Sequence, residues 1–226
     1  KHHSATHLLQ SALKMVLGDS VSQAGSLNDT SRLRFDFTYP KAMTTAQIDE
    51  VEDLVNSMIS RGIAGNVEEL PIDQAKNKGA IAMFGEKYGD MVRVVSFSDV
   101  SVEFCGGTHV KNTSDIGSFY IIKESGVSAG VRRIEAVCGT AAIAYTKEVI
   151  TAMNEIKAEI KNNDVIAGIK KLKEQIKDLK KEVETAQSQT SAPISEELIG
   201  DTKVVVAVVE NGDLKKIVDD MKNANE

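Results

Sequence analysis

All four histidines of this chain lie in two short segments, His2-His3-Ser4-Ala5-Thr6-His7 and Cys105-Gly106-Gly107-Thr108-His109, and one of its two cysteines is in the second. Scarce ligand-type residues gathered this way point to a metal. His3 and His7 are four apart, which on a helix is about 40° of rotation and one turn of rise, so both imidazoles leave one face. His2 and His7 are five apart, about 140° round the same helix, so His2 points elsewhere. Cys105 and His109 bracket Gly-Gly-Thr, where two glycines let the backbone wrap tightly and bring thiolate and imidazole together. Three imidazoles and one thiolate suit zinc in tetrahedral geometry. Soft sulfur argues against magnesium or calcium. A structural zinc site closes with four protein ligands and a catalytic one keeps a position open, and the sequence leaves both designs standing. No Glu sits between the histidines, so the His-Glu-x-x-His protease design is absent, as are a Walker loop, a Rossmann glycine fingerprint and a nucleophile elbow.

One shared site requires residues about 100 positions apart to touch, and the surrounding elements must achieve that. Ala5, Leu8, Leu9, Ala12, Leu13 and Val16 repeat at helical spacing up to Gly18. Leu33 to Phe37 alternates like a half-buried strand after a turn at Asn28-Asp29. Thr44 or Thr45 caps a helix carrying Ile48, Val51, Leu54, Val55, Met58 and Ile59. Strand-like runs follow at 66–70, 91–97, 100–104, 118–124 and 131–138, with a short helix at 72–78. The expected class for residues 1–140 is α+β, a mostly antiparallel sheet with helices on one face. Residues 141–187 carry no Pro and one Gly, with apolar steps of four and three on either side of Asn162-Asn163-Asp164. They read as a helical hairpin or coiled-coil arm, a seam that needs a partner and makes self-association an expectation. Residues 188–202 read as linker, and 203–226 as the first βα unit of a truncated globular domain.

Composition limits the function. At 226 residues and net charge −6 the chain is no polycation, so a nucleic-acid contact must use a local basic patch. No apolar run reaches the roughly 18 residues of a membrane span, and two cysteines make no disulfide scaffold, which points to the cytoplasm. The chain opens on Lys1 in what reads as a helix, as a piece of something longer would.

Several motifs occur in order: His-x-x-x-His on the opening helix, Arg34-Phe35-Asp36-Phe37, Gly85-Glu86-Lys87-Tyr88, Glu103-Phe104-Cys105-Gly106-Gly107-Thr108-His109, and Gly130-Val131-Arg132-Arg133-Ile134-Glu135-Ala136. In these the chain resembles the editing domain of the alanyl-tRNA synthetase family, followed by that family's helical arm and the start of its C-terminal globular domain. The resemblance implies hydrolysis of mischarged tRNA-Ala bearing serine or glycine, with His3, His7, Cys105 and His109 as zinc ligands and Gln23 in the pocket. It implies a parent that is an ATP-dependent alanine–tRNA ligase whose aminoacylation core is absent here. The ligand pattern is shared with free-standing alanyl editing proteins, and a zinc-stapled scaffold that binds RNA or protein without chemistry is the rival from another class. Arg132 and Arg133 could contact the terminal ribose-phosphate or be solvated strand residues. Lys170, Lys171, Lys173, Lys177, Lys180 and Lys181 form a solvated coiled-coil flank or a tRNA-facing stripe. Glu103 could orient a ligand imidazole, and Cys138 reads as a buried small hydrophobe.

Overall fold

A computed structural model describes residues 1–82, 88–189, 193–207 and 214–223. The chain divides into two units, Lys1–Thr151 and Ala152–Glu226. In the first, Ala5, Leu8, Leu9, Ala12 and Leu13 form the fully buried face of α1 (His2–Leu17), which ends where Gly18 takes a positive φ of 103°. β1 (Gln23–Asn28) and β2 (Leu33–Thr38) form a hairpin. In its turn the Asp29 carboxylate accepts the backbone N–H groups of Ser31 and Arg32. α2 (Thr45–Ser60) begins at Thr44 through a capping box with Gln47. After it come β3 (Gly65–Pro71), α3 (Ile72–Asn77), β4 (Met91–Phe97), β5 (Ser101–Phe104), a 3-10 turn at Thr113–Ile116, β6 (Phe119–Ser128) and β7 (Val131–Cys138). α4 (Thr140–Ile160) starts in this unit and runs into the next.

The strands pair antiparallel, in two sheets of the first unit rather than one: β1-β2-β7-β6 and β3-β4-β5. Both feed one core, in which α1 and α2 meet Phe35, Phe37 and Ile134 of the larger sheet and Val95 and Phe97 of the smaller. The opposite face of β4, Val92 and Val94, joins Phe104 and Ala75 in a second cluster. Alternation along β5 therefore sends Val102 and Phe104 towards α3 and leaves Ser101 and Glu103, both buried, on the other face, against α1. That face is the one that continues into Cys105.

In the second unit the expected break between helices is present. Lys161 takes a left-handed φ of 51°, and the Asp164 carboxylate accepts the Ala167 N–H at the start of α5 (Val165–Gln189). Gly168 lets the two helices approach, since a Cβ there would press on the Ile160 side chain and Asn162. The expected linker at 188–202 needs correction. α5 runs to Gln189, and Pro193–Ile199 forms strand β8, paired with β9 (Thr202–Ala207) across the two-residue turn Gly200-Asp201. Gly200 supplies the positive φ, 65°, that such a turn requires. Polar, Pro-containing sequence passed for linker because its ladder partner lies just beyond the turn. α6 (Leu214–Asn223) matches the expected short helix. Residues 208–213, within the expected βα unit, and 85–87 of the Gly85–Tyr88 motif lie outside the described residues.

Candidate metal centre

α1 presents His3 and His7, and the loop after β5 presents Cys105 and His109. One ligand atom from each lies within 4.8 Å of all the others. Cys105 Sγ is 3.4 Å from His3 Nε2 and 3.2 Å from His109 Nε2. Bonds of about 2.0–2.3 Å in a tetrahedron would space such donors roughly 3.4–3.6 Å apart. The His109 ring centroid is 4.4 Å from those of both His3 and His7.

Two of the three rings have a polar side chain beside one nitrogen. His7 Nε2 lies 3.5 Å from Glu103 Oε2, which leaves its Nδ1 buried and without a partner. A buried imidazole nitrogen without a hydrogen-bond partner, in a residue grouped with three other donors, fits the role of a metal ligand. His109 Nδ1 is 3.1 Å from Ser4 Oγ, which also accepts the Val110 N–H. With the His109 proton on that hydroxyl, its Nε2 turns an open lone pair to the centre. Burial, then the neighbouring imidazoles, pushes His7 down to about 2. Burial, then His3 and Arg93, pushes His109 down to about 3. Burial lowers His3 as well. All three rings are thus neutral near pH 7, the form that binds a metal. Burial raises Glu103 to about 7, against the opposing pull of the Ser101 hydroxyl and Lys14. Its contact with His7 is therefore a polar approach to a neutral ring rather than an ion pair.

The two glycines of the loop differ in what they do. A Cβ on Gly107 would overlap the His3 ring, whereas one on Gly106 would meet open space. His2 points elsewhere, as its spacing requires. Its Nε2 accepts the Cys138 N–H at 3.1 Å, so Nδ1 carries the proton and donates to the Asp29 carbonyl at 2.8 Å.

His3 and Cys105 also line a cleft of ≈ 580 Å³, together with Ser26, Asn28, Arg93 and Gly106. Gln23 lines a smaller pocket of ≈ 150 Å³ with Gln10, Lys14 and Glu103, and reaches the cleft only by donating from Nε2 to Ser26 Oγ at 3.1 Å. Arg132 is paired with Glu124 through two bonds of 2.6 and 2.7 Å, and Arg133 with Asp36 through bonds of 2.7 and 2.8 Å. Both guanidiniums are engaged within the sheet. Sequence reasoning passed over Ser4 and Arg93. It also missed that Gln10 and Lys14 continue the His3–His7 stripe at steps of three and four, a signal that was there to read.

Residues 92–135 match the family described as the threonyl and alanyl tRNA synthetase second additional domain. The chain is 85% identical to an alanine–tRNA ligase of Aliarcobacter butzleri over all of its length and 27% of that protein. It is 56% identical to one from a Sulfurovum species over 99% of the chain and 26% of the relative, and 54% identical to one from Helicobacter pylori over 100% and 26%. The chain is therefore a segment of alanyl-tRNA synthetase type that carries the second additional domain, spanning about a quarter of the length of the curated relatives it matches.

Proposed function

We propose that the first unit hydrolyses the ester between a wrongly attached amino acid, serine or glycine, and the terminal ribose of tRNA-Ala. The observation that carries this reading is a zinc-type donor set with two of its members on the wall of an open cleft. The names of the relatives and of the matched domain support it. So does the chemistry of selection. A pocket shaped for alanine rejects neither smaller glycine nor serine, which adds one hydroxyl, so a second, hydrolytic site is the remedy.

His3, His7, Cys105 and His109 would hold the zinc, which when bound supplies charge that orients and polarises the aminoacyl group. The chain's own residues shape the rest. The cleft receives the ester, Ser26 and Asn28 line its wall with polar groups, and Gln23 fixes the Ser26 hydroxyl. Water adds to the ester carbonyl, the bond to the ribose oxygen breaks, that oxygen takes up a proton, and the amino acid leaves as its carboxylate. Arg132 and Arg133 serve the sheet first. A tRNA contact by either would be additional to its carboxylate pair. ATP-dependent charging of tRNA is assigned to sequence outside this chain, in a cytoplasmic parent ligase. Self-association belongs to the arm, whose seam residues Ile169, Leu172, Ile176, Leu179 and Val183 are exposed.

The test is zinc content of the purified chain together with release of serine from Ser-tRNA-Ala, with Ala-tRNA-Ala as control. About one zinc per chain and serine release abolished by Cys105→Ala support the reading. A chain without zinc, or release no faster than spontaneous hydrolysis, overturns it.

A further inference from the structure

The ligand loop is gripped from one side by a residue with no part in the donor set. Arg93, on β4, sends both hydrogens of Nη1 into the loop, to the Cys105 carbonyl at 2.6 Å and the Gly107 carbonyl at 2.8 Å. The Cys105 N–H returns a bond to the Arg93 carbonyl at 3.0 Å, so strand and loop are tied in both directions. These contacts bear on three ligands at once. Cys105 is held through its own backbone. Gly107 is the surface on which the His3 ring rests, close enough that a Cβ would displace it. His109 follows two residues later. Charge-assisted bonds of this length are the stronger class of hydrogen bond, and a loop with two glycines has little stiffness of its own.

We infer that Arg93 is the positioning residue of the zinc centre, fixing the Cys105–Gly107 backbone so that thiolate and imidazoles converge. The inference rests on the zinc reading above. Partners that orient metal ligands typically change affinity by about 10–100-fold when removed.

The experiment compares the 226-residue wild-type chain with Arg93→Met, which keeps the apolar stem without donors, and Arg93→Lys, whose ammonium can serve both carbonyls from one nitrogen. Zinc affinity is read by competition with a chelating dye, and ligand geometry by the visible spectrum of the cobalt-loaded chain. Hydrogen exchange of the Cys105–His109 amides is followed without metal. For Arg93→Met, affinity falls about 10–100-fold, the cobalt spectrum shifts and loop exchange accelerates, while exchange in β2 and β7 is unchanged. Arg93→Lys recovers most of the affinity. Zinc bound by Arg93→Met within twofold of wild type, with the same cobalt spectrum, overturns the inference while the zinc reading stands. Wild type that binds no zinc overturns the zinc reading instead, and the metal-free exchange then decides whether Arg93 orders the loop. Should Arg93→Met fail to fold, Arg93→Gln, whose shorter neutral side chain cannot make both charge-assisted bonds, takes its place: zinc affinity reduced about tenfold or more with a shifted cobalt spectrum supports the role, and affinity within twofold of wild type with the same spectrum overturns it.

Discussion

A single methyl group separates tolerance from failure at two adjacent glycines of the ligand loop. Gly106→Ala places its Cβ in open space and is expected to bind zinc like the wild type. Gly107→Ala drives its Cβ into the His3 ring, so that ring must leave the centre. Losing one of four ligands, it is expected to lower zinc affinity by at least the roughly 10–100-fold seen for outer partners, read by dye competition. Equal affinity of the two variants would refute the packing argument. The two cysteines make a second contrast. Cys138 is 2% exposed, and burial pushes its thiol up to about 11. Above an unfolded value near 9 the unfolded chain ionises this thiol and the fold does not, so its contribution to stability falls as pH rises from about 9 to about 11. At pH 8 iodoacetamide should therefore label the metal-free native chain at half-buried Cys105 alone. Added zinc should protect that thiol, with peptide mapping identifying the site.

Elements position these residues through bonds that a strand pattern does not announce. β6 is an edge of its sheet, yet its first residue is fully buried. Asn56 of α2 replaces the missing neighbour strand: its Nδ2 donates to the Phe119 carbonyl at 2.9 Å and its Oδ1 accepts the Phe119 N–H at 3.0 Å. One turn earlier, Glu52 accepts the Ile121 N–H at 2.6 Å. The same helix anchors the stretch beyond His109, since Thr113 Oγ1 donates to the Met58 carbonyl and accepts the Ile63 N–H. Asn56→Ala strands two backbone groups at a dry edge, and urea denaturation should show a loss of about 1–3 kcal/mol. A loss below about 0.5 kcal/mol would mean that water or a shifted strand takes over the role.

At the scale of the molecule, what the sequence disclosed and what it hid divide along physical lines. Helices α1 and α2, strands β4 and β7 and the break before α5 were legible because local period and capping chemistry determine them. His3, His7, Cys105 and His109 were legible because the residue types are rare and their spacing has only one geometric use. The split into two sheets was not, because strand partners are chosen at long range. Nor was Arg93, which alternates with apolar neighbours as a solvent-facing residue does; Glu103 was legible only through its place beside the Cys105 motif, and it is the packing of α1 against β5 that buries it beside His7. The same packing decides how far the metal supports the fold. In small zinc-finger peptides the ion supplies nearly all the folding free energy, and chelators unfold them. Here Leu8, Leu9, Phe35, Phe37 and Ile134 form a fully buried apolar core, and α1 is held by this core along its length. An ion bound at this site would close a loop of about 100 residues onto a helix that the core also holds, so its stabilisation should follow binding linkage, about 4 kcal/mol when free zinc is a thousand times its dissociation constant. Dialysis against a chelator should therefore leave the helical circular dichroism intact, lower the urea midpoint, and let zinc restore it in proportion to the logarithm of its concentration. Loss of the helical signal on chelation would make the ion a staple for the whole unit, and would favour a non-catalytic scaffold over a hydrolytic site.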